Sequence, residues 1–398
     1  MKKLFIPLLA VCIFLNGCGY GKDVESQAFV IAVGIDKGES FPLKVSFTFA
    51  NPAAGTSSDG GEPSAPKPDT VSIEAPTVFS AVRKLDAIKS KAINLSHTKV
   101  VIFSKDVARD GIKNFLSGFA SSKDFRPNTY VCISECTAEK FLKNIKPAHE
   151  TFIEKYFDNI MQKVAEDKVN EAYLYYLFYN VTDDFSGSIV PLVGINSGKH
   201  EDRKKEYGDD FSYEARAGEI IRTGKNPAEV LGCAIFRNDK MIGTMGSFHT
   251  DLTRIMCNEF YPKNYSISYS QKNDFVTFRL IQQQRPETLT AIKNGNAFFH
   301  IKIPVSIEYI DAGKIEGNKT ESAKFCKHLE GLLNYESLKL ISESQKKYNC
   351  DILGLGNSLK RHFLDMESWR KFNWEEKYPE AKIKVSFQVI FADFEEAN

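Results

Sequence analysis

The chain has 398 residues, 42% of them hydrophobic and 26% charged, which is typical of a folded body of two or three domains. Without Lys2 and Lys3, which we assign to a signal peptide, 50 basic residues face 51 acidic ones. A near-neutral chain has no electrostatic basis for binding nucleic acid, or for holding an anionic bilayer by charge alone, so we expect no nucleic-acid partner.

Residues 1–17 have the organisation of a bacterial signal peptide. Lys2 and Lys3 form a positive start, and the apolar run from Leu4 to Leu15 is too short to span a bilayer stably. No later stretch of the sequence has the length of a membrane span. The sequence therefore predicts export of the remaining chain.

The string Leu15-Asn16-Gly17-Cys18 has the order of a bacterial lipobox: an apolar, a variable and a small residue, then cysteine. In such signals the cysteine thiol receives diacylglycerol and the chain is cut just before it, so Cys18 is the predicted lipid attachment site. Asn16 stands where Ser, Thr or Ala is more usual. The alternatives are an ordinary signal peptide and a buried helix with an incidental cysteine. Because two acyl chains hold a protein at a membrane essentially permanently, the lipobox predicts a body tethered outside the cell membrane.

The stretch 18–195 is predicted to be an N-terminal α/β region. Residues 28–35 form a continuous apolar run that indicates a strand buried on both faces, and residues 43–49 alternate as in a half-buried strand. The stretch 51–69 is rich in Gly, Pro and Ser and is predicted to be a mobile loop. Further strands are predicted at 97–103 and 129–133.

Apolar residues at helical spacing predict helices in the same region. One helix follows Thr77 as N-cap, with Val78, Val82, Leu85 and Ile88 on its apolar face. A single helix is predicted over 106–119, and a short one opens at Thr137. The face of a longer helix is formed by Phe152, Tyr156, Ile160 and Val164.

The chain turns polar over 196–227, where the charged run 200–210 is expected to be solvated, and we place a domain boundary in this linker. The stretch 228–398 is predicted to be a C-terminal α+β region. It opens with a hairpin that turns at Arg237 to Lys240.

Two alternating strands and a long helix are predicted in this C-terminal region. The strands cover 299–309 and 383–391, and the helix covers 322–348. Pro304 indicates an edge strand or a bulge. The whole chain is therefore predicted to be α+β, a multi-lobed body of mixed β-sheets with packed helices.

The sequence contains no recognisable catalytic motif, which favours binding or assembly over an enzyme. Gly354-Leu-Gly356 follows a predicted helix and is interpreted as a packing turn, and the adjacent Asp183 and Asp184 do not converge on one site. The seven His occur singly, so no metal ligand and no cofactor are assigned. Beyond the predicted signal and anchor six Cys remain. A bridge between Cys132 and Cys136 is conceivable, but scattered buried thiols are the preferred interpretation.

Seven separated stretches share the order and spacing of one family. They are 25–38 (ESQAFVIAVGIDKG), 95–106 (LSHTKVVIFSKD), 108–111 (ARDG), 125–128 (FRPN), 231–243 (LGCAIFRNDKMIG), 345–356 (QKKYNCDILGLG) and 373–376 (NWEE). Together with the lipobox, they resemble the C-subunit family of bacterial spore germination receptors. The usual Trp-Asp-Arg-like opening of that family is here Tyr20-Gly-Lys-Asp-Val-Glu25.

The resemblance implies a body of three α/β-type lobes and a function without catalysis. It implies a membrane-anchored lipoprotein subunit of a nutrient germinant receptor, on the outer face of the spore inner membrane. The implied partners are the integral-membrane A- and B-type receptor subunits, and the implied lipid site is Cys18.

Two other functions remain open on sequence alone. A solute-binding lipoprotein of a membrane importer would also carry an anchor and two lobes. Such proteins have doubly wound parallel sheets, whereas the strands at 299–309 and 383–391 alternate as if one face were not fully buried. A surface hydrolase has no supporting motif.

Overall fold

The computed structural model describes residues 23–50, 69–147, 150, 152–166, 173–182, 187–198, 210–211, 214–269, 274–311, 315 and 317–392. The predicted signal peptide and Cys18 lie outside these residues. The predicted loop at 51–69 also lies outside them, apart from Asp69, which starts a strand.

Fourteen strands occur in the described residues and form two sheets. The strands of sheet 1 are Gln27–Lys37 (β1), Leu43–Phe49 (β2), Asp69–Ala75 (β3), Ala92–Asn94 (β4), Val100–Ser104 (β5), Tyr130–Ser134 (β6), Gly187–Ile195 (β7), Ala228–Arg237 (β8) and Lys240–Met245 (β9). The strands of sheet 2 are Lys263–Ser268 (β10), Phe275–Ile281 (β11), Glu287–Lys293 (β12), Asn296–Asp311 (β13) and Lys382–Phe391 (β14). Sheet 1 has the order β3-β2-β1-β5-β6-β7-β8-β9, with β4 beside β1, and sheet 2 the order β10-β11-β13-β12, with β14 beside β13.

Helices pack on both sheets, which confirms the predicted α+β class. They are Val78–Asp86 (α1), Lys105–Asp110 (α2), Lys113–Ser121 (α3), Ala138–Asn144 (α4), Ile153–Glu166 (α5), Leu174–Thr182 (α6), Ser247–Cys257 (α7), Lys319–Glu343 (α8), Leu355–Leu359 (α9), Met366–Phe372 (α10) and Trp374–Lys377 (α11), with a π-helical turn at Ser344–Tyr348. The predicted N-cap at Thr77 and the predicted helix start at Thr137 are confirmed, because Thr77 accepts from the Ser80 amide and Thr137 from the Lys140 amide.

The centre of sheet 1 is parallel: β1, β5, β6 and β7 run in one direction. The packed residues of α4 and α5 cover one face, and those of α1, α2, α3 and α6 cover the other. Residues 30–36 of β1 are therefore all buried, as the apolar run predicted.

The prediction that β2 is half-buried is wrong. Its polar residues Ser46 and Thr48 are fully buried. Their hydroxyl groups pair with those of Ser72 and Thr70 on β3, each at an oxygen–oxygen distance of 2.9 Å. The alternation implied that these hydroxyl groups face solvent. Because α4 packs on β2 and β3, the hydroxyl groups are buried and bond to each other across the two strands instead.

The prediction of one helix over 106–119 is also wrong. The chain breaks at Gly111, whose φ of +122° lies where residues with a side chain are strained. The following amide, that of Ile112, donates to the Asp239 carbonyl at 2.9 Å, so the break ties the helices to the β8–β9 turn.

Pro304 does not lie on an edge strand, because β13 is the central strand of sheet 2. One side of β13 pairs with β14, and the other side pairs with β12 up to Lys302 and with β11 from Ser306. On that other side, Pro304 falls between the two pairings, where neither β11 nor β12 is paired with it. The alternation predicted at 299–309 and 383–391 is confirmed in the burial of β13 and β14.

Sheet 1 continues across the predicted linker. β8 starts at Ala228 and pairs with β7, and β8 and β9 form the hairpin that the sequence predicted. Within the linker, Ala215 and Ala217 are buried, and the Ala217 amide donates to the Leu231 carbonyl at 2.9 Å. The strands that follow the linker thus belong to the sheet that precedes it, and the division at 196–227 stays a prediction from composition.

Candidate functional site

Cys18 lies outside the described residues, but the structure shows where the chain that follows it reaches the body. A 3-10 turn at Val24–Ser26 leads into β1. The Asp23 carbonyl holds this turn by accepting from the amide (3.1 Å) and the hydroxyl (2.7 Å) of Ser26. β4 runs parallel to β1 and pairs with its first three residues, so both strands begin at this end of sheet 1, whereas β5 begins further along, opposite Ala32.

A groove of about 890 Å³ lies at this end, and we call it the amino-terminal groove. Its charged and aromatic lining residues are Glu25, Phe29, Phe49, Asp69, Lys89, Lys91, Phe152 and Glu154. The Lys89 ammonium pairs with the Asp69 carboxylate at 2.8 Å and lies 4.4 Å from the centre of the Phe49 ring. The groove therefore combines aromatic walls with a small excess of carboxylates.

Two residues contradict their predicted burial: Phe152, which lines the groove, and Ile88, which directly precedes the lining residue Lys89. Ile88 was placed on the apolar face of a helix, but α1 ends at Asp86 and the Ile88 side chain is 64% exposed. Phe152 precedes α5 and is 37% exposed. The sequence pattern predicted both residues to be helical because each has the spacing of the apolar face. In the structure, each lies just outside the end of its helix.

A cluster of tyrosines lies beside the start of β6. The Tyr130 and Tyr173 rings stack with centroids 4.7 Å apart, and Tyr175 and Tyr176 lie 4.0 Å apart. Burial, together with the hydrogen bond between the two hydroxyls, raises the pKa of Tyr130 above its usual value. Tyr175 is 43% exposed, so the cluster presents an aromatic surface to the outside.

Asp36, from the first family-like stretch, caps a helix across the sheet. Its carboxylate accepts from the amides of Ala138 (2.8 Å) and Glu139 (2.9 Å) at the start of α4. Gly34 allows this approach, since a Cβ there would lie 3.0 Å from the Cβ of Ala138. Burial raises the pKa of Asp36, although the two amide donors act in the opposite direction. Asp36 and Gly34 of the stretch 25–38 are therefore explained by the docking of α4 on the sheet.

Glu139, beside this cap, is expected to make folding stability depend on acidity. Burial by itself would raise its pKa, but hydrogen bonds from Lys143, Lys44 and Ser72 lower the value from 4.5 to about 2. A lowered pKa stabilises the fold above pH 4.5, and the contribution is lost as the pH falls towards 2. At neutral pH, Glu139→Gln should therefore lower the free energy of unfolding by about 1–3 kcal/mol, and this difference should shrink at acid pH. Urea unfolding at several pH values measures it.

The matched control is Glu367→Gln, at a 77% exposed carboxylate that also pairs with a lysine, Lys371. We expect no measurable change there, since exposed pairs contribute little. A Glu139→Gln difference that stayed constant down to acid pH would contradict the assignment.

Asp351, in the family-like stretch 345–356, organises the turn that follows it. Its buried carboxylate accepts from the amides of Leu355 (3.0 Å) and Gly356 (2.8 Å) and from the indole nitrogen of Trp374 (2.9 Å). A Cβ on Gly356 would lie 2.5 Å from the Trp374 ring, so glycine is required there. The packing-turn interpretation of Gly354-Leu-Gly356 is confirmed. Burial raises the pKa of Asp351, while the three donors act against that rise.

The same turn joins the two sheets, because it leads into α9, which packs on β12 of sheet 2, and also bonds to sheet 1. The Asp351 carbonyl accepts from the Gly187 amide at 3.2 Å, at the start of β7. The neighbouring Cys350 thiol donates to the Phe236 carbonyl of β8 at 3.3 Å. Gly187 is in close contact with this thiol, because an added Cβ would overlap the Cys350 sulfur. The turn is therefore a structural joint rather than a phosphate site.

Glu229 anchors the segment that composition marked as a polar linker. Its carboxylate, in a residue that is 5% exposed, accepts from Asn196 Nδ2 (2.6 Å), Arg222 Nε (2.7 Å) and the amides of Gly218 (2.7 Å) and Ile220 (3.3 Å). Burial would raise the pKa of Glu229, but these donors lower it overall. The sequence interpretation missed Glu229, because a single glutamate near the start of a strand looks like an ordinary solvent-facing residue, and its partners lie in the linker and at Asn196.

His249, one of the single histidines, lies between two carboxylates. Its Nδ1 is 3.5 Å from Glu214 and its Nε2 is 3.3 Å from Glu336, so it connects the linker, α7 and α8. Burial raises the pKa of Glu214. Across the described ranges, no group of three His, Cys, Asp or Glu side chains is placed to hold a metal ion. The six cysteines after the predicted anchor all lie within those ranges, and Cys132 and Cys136 do not form a disulfide with each other.

Two family profiles match consecutive parts of this chain. "Spore germination protein N-terminal domain" matches residues 21–195, and "Spore germination B3/ GerAC like, C-terminal" matches residues 231–393. This chain belongs to the GerAC family of spore germination proteins. The residues between the two matches hold the Glu229-bound segment, and Asp36 and Asp351 each lie inside one match.

GerAC relatives from Bacillus subtilis (strain 168) match over almost their full length. Spore germination protein KC is 22% identical over 408 residues, with 97% of this chain and 94% of the relative covered. Spore germination protein A3 is 24% identical, with 98% of each chain covered. Among solved structures, the crystal structure of the GerBC protein matches with a TM-score of 0.56 at 15% identity, covering 91% of this chain and 97% of the other. The likeness to the GerBC structure shows that the two chains share a fold.

Within the residues that the structure describes, no helix of this GerAC protein is both long and apolar enough to cross a membrane.

Proposed function

We propose that this chain is a lipid-anchored subunit of a nutrient germinant receptor and acts by assembly rather than by catalysis. The family match over residues 21–195 and 231–393 carries this proposal. The lipobox supports acylation at Cys18, and the family-like motif residues that the structure explains, Asp36 and Asp351, have structural roles.

In this proposal the body is tethered to the outer face of the spore inner membrane and binds the integral-membrane A- and B-type receptor subunits. A lipid anchor confines the body to the plane of the membrane, so modest contacts with membrane partners suffice. The family match favours this function over that of a solute-binding lipoprotein of an importer.

Deleting the gene, together with its paralogues, tests the proposed function. Spores of the deletion strain should lose germination triggered by nutrients, and the wild-type gene should restore it. Germination by a trigger that bypasses nutrient receptors is the control and should be unchanged. Nutrient-triggered germination that persists at the wild-type rate for every nutrient tested would contradict the proposal.

A further inference from the structure

We propose that the amino-terminal groove, with Phe152 of its lining and the neighbouring Ile88, rests on the surface of the lipid bilayer. This inference rests on the proposed anchor at Cys18 and adds an orientation to it. The contacting chemistry is apolar, and the partner is the lipid interface itself.

The length of the tether limits which part of the molecule reaches the membrane. Cys18 and Asp23 are five residues apart, and a fully extended chain advances by ~3.5 Å per residue, so the tether reaches at most ~17 Å. β1 itself has eleven residues and extends by roughly 36 Å. The end of sheet 1 where β1 begins is therefore held at the bilayer, and the end at Lys37 is not required to approach it.

The exposed side chains at this end suit a lipid interface. Ile88 is 64% exposed and directly precedes Lys89 of the groove, and Phe152 is 37% exposed and lines the groove. Single exposed apolar residues are common on proteins, but Phe152 lines the same groove as Glu25, which follows the end of the tether at Asp23 by two residues.

The charges of the groove argue against electrostatic attraction to anionic lipid. Three carboxylates, those of Glu25, Asp69 and Glu154, face two ammonium groups, those of Lys89 and Lys91. The Lys89 ammonium is already paired with Asp69 at 2.8 Å. The lining therefore carries a net charge of about −1, and the contact should depend little on salt or on lipid charge.

Tryptophan probes in the full-length acylated protein test the contact. Phe152→Trp and Ile88→Trp place an indole at the groove, and Leu338→Trp places one on α8 at a residue that is 45% exposed. The proteins are reconstituted in phosphatidylcholine vesicles with and without bromine on the acyl chains near the headgroups. The native Trp369 and Trp374 are buried and give a common background, which the wild-type protein measures.

We expect fractional quenching by brominated lipid that is several-fold larger at positions 88 and 152 than at 338. Equal quenching at the three positions, or none, in protein that floats with the vesicles overturns the contact and leaves the anchor standing. Binding of this end to protein subunits instead of lipid would give that unquenched result. Quenching that requires phosphatidylglycerol and disappears in high salt overturns the apolar contact. Wild-type protein that does not float overturns the anchor and the contact together.

Discussion

Asp351→Ala is expected to lower the free energy of unfolding by about 2–4 kcal/mol, one of the two largest effects anticipated in this molecule. The substitution leaves the amides of Leu355 and Gly356 and the Trp374 indole without their acceptor. The expected loss is smaller than the cost of leaving three buried donors unsatisfied, because the substitution also removes a buried carboxylate. Burial disfavours the charge of that carboxylate and raises its pKa. Urea unfolding followed by intrinsic fluorescence measures it, since Trp374 is one of only two tryptophans.

Two further variants sharpen this test. Asp351→Asn keeps an oxygen that can accept from Gly356 and Trp374, so its effect should be smaller than that of Asp351→Ala. Asp110→Ala removes a carboxylate that is 67% exposed, and should change stability by less than about 0.5 kcal/mol. If Asp351→Ala were as mild as Asp110→Ala, Asp351 would not organise the turn that joins the sheets.

Glu229→Gln is expected to lower the free energy of unfolding by about 2–4 kcal/mol. An amide in place of the carboxylate would turn a donor towards backbone amides, such as that of Gly218, and would leave Arg222 without its charge partner. The segment that leads from Gly218 to β8 should then lose its attachment. Urea unfolding measures the energy, and hydrogen exchange should show faster exchange in residues 214–227.

The matched control for Glu229 is Glu287→Gln, at a carboxylate that is 59% exposed and pairs with Lys302. Its stability should change by less than about 0.5 kcal/mol. Unchanged exchange in residues 214–227 of the Glu229 variant would show that the linker is attached by other contacts.

Local sequence signals predicted those parts of the fold that depend on nearest neighbours. Thr77 and Thr137 are caps because a short hydroxyl side chain can reach an amide three residues on. The apolar run in β1 indicated a strand buried on both faces, because a parallel strand is covered by helices on each side.

Features that depend on distant partners were not predictable in the same way. The pairing of Ser46 with Ser72, and the pairing of β13 on both sides of Pro304, require knowledge of the neighbouring strand. A helical pattern does not show where the helix ends, so Ile88 and Phe152 were assigned inward although both are exposed. Composition marked the linker as polar, yet a buried glutamate, Glu229, holds it against the sheet.

The family-like stretches could be recognised in the sequence, but the roles of their residues could not. Asp36 and Asp351 were two acidic residues in separate stretches, without any indication of what they contact. Their roles became clear only when the fold placed α4 over Asp36 and Trp374 beside Asp351. Both residues are explained by folding requirements.

Replacing Cys18 tests the central claim most directly. Spores that carry Cys18→Ala as their only copy are fractionated, the protein is located by immunoblot, and nutrient-triggered germination is followed. Cys12→Ala, within the predicted signal peptide, is the matched control. We predict that Cys18→Ala removes the protein from the membrane fraction and abolishes the response, whereas Cys12→Ala behaves as wild type. Full germination with a Cys18→Ala protein that is absent from the membrane fraction would contradict the lipid-anchored receptor subunit.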